Sequence, residues 1–313
     1  MSQATITEYL SPSAIEAAGH PDWLRERKLA DLRTYRDLPA PDSATMEDWR
    51  RTDLSSLDLA ALRPVGPDLG GAEPDAALRT NFDRGGESGA LLLQQAGRKT
   101  VIQVPRALTE QGVVVSTLEE LPTVALDDAA LNAGFWRGGV FVLVPRGVQA
   151  EVPVWATFAG GDGSGEGIET VLPRTLVVVE EGASLVFTDE YSAGPARGGR
   201  VSSAVTEVIL GDGASIQYLV LQQWPEDVTH VATHRVHLGR DARVELVVAA
   251  TGGAVSKVYM EVAMMGSGGT ARISGLVIGD GKQHFDYQSL QDHFAPNCLS
   301  DLLVKGALRD EAV

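Results

Sequence analysis

GDGASIQY, Gly211 to Tyr218, is one of four related octets: EEGASLVF starts at Glu180, GRDARVEL at Gly239 and SGGTARIS at Ser267. Each opens on a glycine- or aspartate-containing turn signal and runs into alternating apolar residues, the pattern of a half-buried strand. Their alanines, Ala183, Ala214, Ala242 and Ala271, align the four at steps of 31, 28 and 29 residues. A near-constant step of this size suits a stacked solenoid, in which each strand–turn unit buries its apolar side on the next. It is too short for a propeller blade. A β-sandwich with similar turns fits the spacing equally well, so periodicity alone leaves two all-β architectures open.

The same texture, short Val, Ile and Leu runs punctuated by Gly and Asp, extends back to Leu91. One helical interruption is expected at Asp127–Phe135 (DDAALNAGF), just before a strand at Gly139–Val144. Toward the N-terminus the character changes. Ser11 followed by Pro12 reads as a capped helix start with proline at the first helical position, and Gly19 as its stop. Pro21 to Asp37 contains no internal Gly or Pro and predicts a second helix, which Pro39 and Pro41 end. Glycine, aspartate and proline dominate Gly66 to Gly89, the composition of a linker. The expected organisation is a helical region over residues 1–65, a linker over 66–90 and a β core over 91–313.

The chain has 313 residues, 44% hydrophobic and 22% charged, with a formal net charge of -16. Such an excess of acid repels a phosphate backbone, so nucleic acid is not an expected partner. No apolar run approaches the roughly 20 residues that cross a bilayer, and MSQATITEYLSPSA lacks the basic start and apolar centre of a secretion signal. No membrane association is expected. A single cysteine, Cys298, rules out an internal disulfide and agrees with a reducing, cytoplasmic setting.

Four residues near the C-terminus, His284, Asp286, His293 and Cys298, have the side chains of an iron or zinc site. On a strand His284 and Asp286 point to one face, which permits joint ligation. We read all four first as groups that satisfy turns and neighbouring coils, with a metal-binding module as the alternative. In THVATHRVHL, His230 and His234 share a strand face and His237 takes the other. A solvated or partner-facing strand is the expectation there. Cys298 reads as a small buried hydrophobe. The loop GGDGSGEG (Gly160–Gly167) has the composition of a calcium-binding β-helix repeat, but it occurs once and lacks the aspartate spacing, so a flexible surface loop is expected. The sequence contains no Walker-type phosphate loop, no nucleophile elbow and no pair of acids set up as acid and base. A non-enzyme is therefore expected, with a carbohydrate-active β-helix enzyme as the competing class.

Several segments carry a family likeness: HFDYQSLQDHFAPNCLSDLLVKGAL (His284–Leu308), FVLVPRGV (Phe141–Val148), PDWLRERKLA from Pro21 and EDWRRTDL from Glu47. The chain resembles the SufB/SufD family of iron–sulfur cluster assembly proteins from Pro21 to its last residue. The PDWLRERKLADLRTYRDLPAP opening followed by EDWRRTD is similar to the SufD branch. The resemblance implies a right-handed parallel β-helix between helical terminal regions. It also implies the role of a non-ATPase scaffold subunit, which pairs with a SufB-like paralogue and a SufC-like ATPase and assists iron entry. No resident cofactor is implied for this chain, and the iron–sulfur cluster would be held transiently in the assembled complex. Family members continue past the GALRDEA-type segment into a C-[ST]-H-G motif and ATPase-docking helices. We expect this chain, ending at Val313, to be C-terminally incomplete, and no catalytic residue carries over. His284, Asp286, His293, Pro296, Ser300, Lys305 and Gly306 match the family's fold signature, which implies packing or interface roles.

Overall fold

The turn that heads each octet needs one left-handed residue. Gly182, Gly213 and Gly268 supply it at φ of 68°, 66° and 80°, and in the third unit Asp241 takes the same place at φ 56°. Glycine adopts this region freely and aspartate is among the few other residues that tolerate it. The turns feed strands that stack rather than fold back on themselves. In the computed structural model, which describes residues 8–68, 70–84, 89–121, 130–194, 196 and 198–313, the chain is a parallel β-solenoid of about five turns behind a small helical N-terminal region.

In chain order the elements are α1 (Pro12–Ala17), α2 (Asp22–Asp37), β1 (Leu62–Pro64), α3 (Thr80–Arg84), β2 (Ala90–Gln95), β3 (Val101–Gln103), α4 (Arg106–Glu110), β4 (Val114–Ser116) and α5 (Ala130–Phe135). The solenoid proper follows with β5 (Val140–Val144), β6 (Val154–Ala159), β7 (Ile168–Val171), β8 (Arg174–Val179), β9 (Ser184–Ser192), β10 (Arg200–Leu210), β11 (Ser215–Gln223) and β12 (Val228–Leu238). It continues through β13 (Arg243–Ala250), β14 (Val255–Met264), β15 (Thr270–Gly279), β16 (His284–His293) and β17 (Leu299–Leu308). Two walls result. The first runs β16-β14-β12-β10-β8-β5-β4 and the second β17-β15-β13-β11-β9-β6-β2-β3. Successive strands alternate between walls from β8 onward, so each strand pairs with the one two places later and in parallel. This pairing excludes the sandwich, whose sheets are antiparallel. Among the described residues antiparallel pairs occur only at the N-terminal end, β2 with β3 and β4 with β5.

Register corrects one detail of the repeat. Ser184 stands opposite Ser215 and Ser215 opposite Arg243, so Ala183, Ala214 and Ala242 do align. Arg243, however, stands opposite Thr270, which puts Gly269 rather than Ala271 in the next rung. Thr270 in turn faces Leu299, so Cys298 occupies the fifth rung. Ala271 lies two residues further on and therefore shares a face with the rung it was assigned to, which is why the offset is invisible to period-2 patterning.

Alternation along each strand sends one set of side chains into the lumen between the walls. Val244, Leu246 and Val248 of β13 meet Val258, Met260 and Val262 of β14 there, within one continuous apolar core. Each such Val or Leu contributes roughly 1.5–3 kcal/mol on burial. A second apolar cluster covers the outside of the first wall, where Leu24 and Leu32 of α2 and Phe135 of α5 pack on Leu176 and Val201. Within it Lys28 is fully buried, its Nζ donating to the Trp136 carbonyl and lying 4.1 Å from the Trp136 ring centre.

The helix starts follow the sequence closely. Ser11 caps α1 by accepting from Ala14 N, and α2 spans Asp22–Asp37. The interruption expected over Asp127–Phe135 is α5 from Ala130, while residues 127–129 lie outside the described set. The glycine-rich stretch before β2 contains a 3-10 turn (Ala76–Arg79) and α3, whose Phe82 packs on Leu91, Leu93 and Trp155. Among the described residues no helix is long and apolar enough to cross a membrane.

Candidate functional site

His284 and Asp286 project from the outer face of β16, as their spacing requires, and meet a segment from the far end of the sequence. The 3-10 turn Glu47–Trp49 is closed by Thr52 N donating to the Trp49 carbonyl at 2.9 Å. This turn presents Thr52 to the sheet, where Oγ1 donates to Asp286 Oδ2 at 2.7 Å and lies 3.3 Å from His284 Nε2. Lys257, the β14 residue in register with Asp286, donates to the same carboxylate oxygen at 2.7 Å. Its fully buried ammonium sits 5.1 Å from the Trp49 ring centre and 4.8 Å from that of Tyr259. The carbonyl of Asp48 completes the contact by accepting from Gln288 Nε2 at 3.2 Å and Tyr259 Oη at 3.4 Å. Burial acts to raise the Asp286 pKa, but the Lys257 and Thr52 hydrogen bonds and the Lys257 and His284 charges outweigh it and hold the carboxyl below its ordinary value. The cluster is a latch that fastens residues 46–54 across the first wall.

The other sequence candidates lie elsewhere. His293 is at an odd position of β16, on the opposite face from His284 and Asp286, with its Nε2 3.1 Å from Ser300 Oγ. Cys298 sits in the turn between β16 and β17, 3.4 Å from the Gly266 carbonyl, and packs against the core in the small-residue rung. The four are therefore not brought together. Among the described residues no group of three or more His, Cys, Asp or Glu is placed to hold a metal ion. Pro296 accepts from Gly268 N at 3.3 Å, and Lys305 and Gly306 stand in register with Leu276 and Val277. The Gly160–Gly167 loop is tied down by Glu169, which accepts from Gly161 N at 2.7 Å and Gly163 N at 3.1 Å.

The strand expected to face solvent or a partner does the reverse with two of its histidines. His230 and His234 are fully buried and face the lumen, while His237 points out. The cause is register: on β12 they share a face with Val228, Val236 and Leu238, and that apolar set decides which side is buried. Around them the lumen carries polar groups that sequence reading missed. Asp189 Oδ2 accepts from Thr206 Oγ1 at 2.6 Å, Tyr191 Oη at 2.8 Å and Tyr218 Oη at 3.2 Å, and Tyr218 Oη lies 2.8 Å from His234 Nδ1. Nearby, Trp224 Nε1 donates to His230 Nδ1 at 3.1 Å, with Ser202 Oγ at 3.0 Å from the same nitrogen. Burial pushes the Asp189 pKa up to about 6, against the lowering effect of its three hydroxyl donors. Burial, with the neighbouring His234 charge, lowers His230 to about 3, and burial alone lowers His234 to about 4. The signal for this centre was present as Asp189 and Tyr191, two residues apart on an inward face, and as Tyr218 at the inward position beside Phe187. No motif marks it, because its members come from four strands.

Residues 161–313 match the family model described as SUF system FeS cluster assembly, SufBD core domain. The iron-sulfur cluster assembly protein SufB of Bacillus subtilis (strain 168) is 29% identical over 333 residues, covering 97% of this chain and 69% of the relative. A SufBD family protein of Staphylococcus aureus (strain USA300) is 24% identical with the same coverage, and one from Staphylococcus saprophyticus is 22% identical over 99% of this chain and 70% of its own length. Residues 161–313, which hold the parallel coils from β7 onward, form a SufBD core domain, the domain described for FeS cluster assembly by the SUF system, and nearly the whole chain is similar to proteins of that family.

Proposed function

We propose that the protein is a non-ATPase scaffold subunit of an iron–sulfur cluster assembly complex, in the manner of the SufD branch. In this reading it pairs with a SufB-like paralogue and a SufC-like ATPase and assists the entry of iron, which is cargo rather than a resident cofactor, while the cluster is held only in the assembled complex. The organisation into a helical region (1–65), a connecting stretch (66–90) and a solenoid core (91–313) belongs to the same proposal, as does a cytoplasmic setting. The observation that carries it is the SufBD core match over residues 161–313.

The relative from Bacillus subtilis carries the SufB name, so the branch is the part most in need of a test. Co-expression with SufB-like and SufC-like subunits from the same source, followed by affinity capture and mass measurement, distinguishes the roles. A complex containing all three supports the SufD-type reading. Capture of a SufC-like subunit with a SufD-like partner, and none with SufB, would reassign the chain to the SufB side. Failure to capture either would remove the scaffold proposal.

A further inference from the structure

The Asp189 centre plays no part in the proposed scaffold role, and its placement is specific. Asp189 and Tyr191 belong to β9 and Tyr218 to β11, all in the second wall, while Thr206 of β10 and His234 of β12 come from the first. The hydrogen bonds from Thr206 and between Tyr218 and His234 therefore tie the walls to each other across the lumen. The carboxylate is used unevenly. Oδ2 takes all three hydroxyl donors, whereas Oδ1 is buried with no partner. On β8, beside Thr206 in the register, Thr175 Oγ1 is likewise buried and unpartnered.

A bare buried oxygen cannot hold charge cheaply and is the atom on which a proton relieves the cost; Oδ2 of the neutral acid then offers two lone pairs to three donors, and Tyr218, the longest at 3.2 Å, is the one released. We propose that Asp189 is a proton-operated brace between the two walls, binding one proton on Oδ1 and reporting its state through Tyr218 to His234.

With Asp189 ionised, Tyr218 Oη donates to Oδ2 and accepts from His234 Nδ1–H. With Asp189 protonated, Tyr218 is free to donate to His234 Nδ1, and the imidazole carries its hydrogen on Nε2. Histidine stays neutral in both states, so one proton is taken from solvent and the tautomer exchanges. The groups facing Asp189 are consistent with a single event. β9 offers Tyr191, β11 offers Tyr218 and β12 offers His230 and His234, whereas the inward residues of β6, β8 and β10 are Val154, Ala156, Phe158, Thr175, Val177, Val179, Ser202, Ala204, Thr206 and Val208, none of them ionisable at these pH values. Burial and the Asp189 charge keep both tyrosines protonated by raising them well above their ordinary range.

The test is nitrogen-15 NMR of the histidine side chains in the whole chain between pH 4.5 and 8, beside Asp189→Asn and Tyr191→Phe. The expected result is that His234 changes from the Nε2–H to the Nδ1–H tautomer as pH rises through about 6, without becoming charged. In Asp189→Asn one tautomer should persist throughout. In Tyr191→Phe the change should move to higher pH, because the carboxylate loses a donor. Against Asp189→Asn, the unfolding equilibrium of the parent chain should worsen about a hundredfold between about pH 4 and pH 6. A constant His234 tautomer in the parent chain overturns the proposal, as does the same transition in Asp189→Asn or an unmoved midpoint in Tyr191→Phe. Should Asp189→Asn fail to fold, infrared spectra of the parent chain decide: no protonated-carboxyl band growing toward pH 5 overturns it. None of these outcomes bears on whether the chain assembles with SufB-like or SufC-like subunits.

Discussion

Lys257 is the residue whose loss should be felt most sharply. It is fully buried on β14, and removing it leaves Asp286 and Thr52 facing a hole where a charge and a hydrogen-bond donor stood. Lys257→Ala is expected to destabilise the fold by about 3 kcal/mol, the usual cost of breaking one side of a buried ion pair, read by urea denaturation. Lys257→Met with Asp286→Leu should recover much of that, since the cost lies in the orphaned charge. The buried histidines set a pH dependence of their own. His230 and His234 have folded pKa values below the unfolded value, so the stability they contribute is intact above about pH 6.5 and is lost as pH falls toward 4 and 3. Each should take about 1.4 kcal/mol per pH unit across its window. A His230→Gln variant should therefore show a shallower acid loss in thermal melts from pH 7 to 4.5. At this scale the sequence was half legible. His284 and Asp286 were singled out correctly as sharing a face. Lys257, Thr52 and Trp49 were not, because a contact between residues over 200 positions apart leaves no local trace. His230 and His234 were placed outside because two polar residues outvoted an apolar face that only the register reveals.

The octets carried most of the fold at the level of elements. A left-handed turn residue, a small residue and an alternating strand recur because each coil must turn, clear its neighbour and bury one side. That predicts graded tolerance. Asp241→Gly, which swaps an aspartate at φ 56° for the residue suited to it, should be neutral or stabilise by up to about 1 kcal/mol. Gly213→Val, at φ 66° in open space, should cost at least about 1 kcal/mol through backbone conformation alone. Both are measurable by chemical denaturation. Cys298→Ala should be tolerated to within about 1 kcal/mol, since Ala183, Ala214 and Ala242 already fill the same rung. The offset of Gly269 escaped sequence reading because a two-residue slip preserves the face. The choice between solenoid and sandwich escaped periodicity for a related reason: spacing records how often strands return, and the direction in which they pair is written only in the hydrogen bonds.

For the molecule as a whole, the stacked arrangement makes stability a property of neighbours. Coils flanked on both sides should protect their amides best, so hydrogen exchange is expected to be slowest in β10, β11, β12 and β13. Uniform exchange across the strands would contradict this picture.

The latch has a further consequence for the order of events during synthesis. Trp49 and Thr52 leave the ribosome early, but the surface they grip does not exist until β14 and β16 are laid side by side, some 234 residues later for the Thr52–Asp286 bond. A contact of that span closes a very large loop and cannot nucleate folding. The latch segment around Trp49 and Thr52 is therefore made early and seated late, after α2 has found Leu176 and Val201, and its docking marks the moment at which the coils beneath it have been correctly counted.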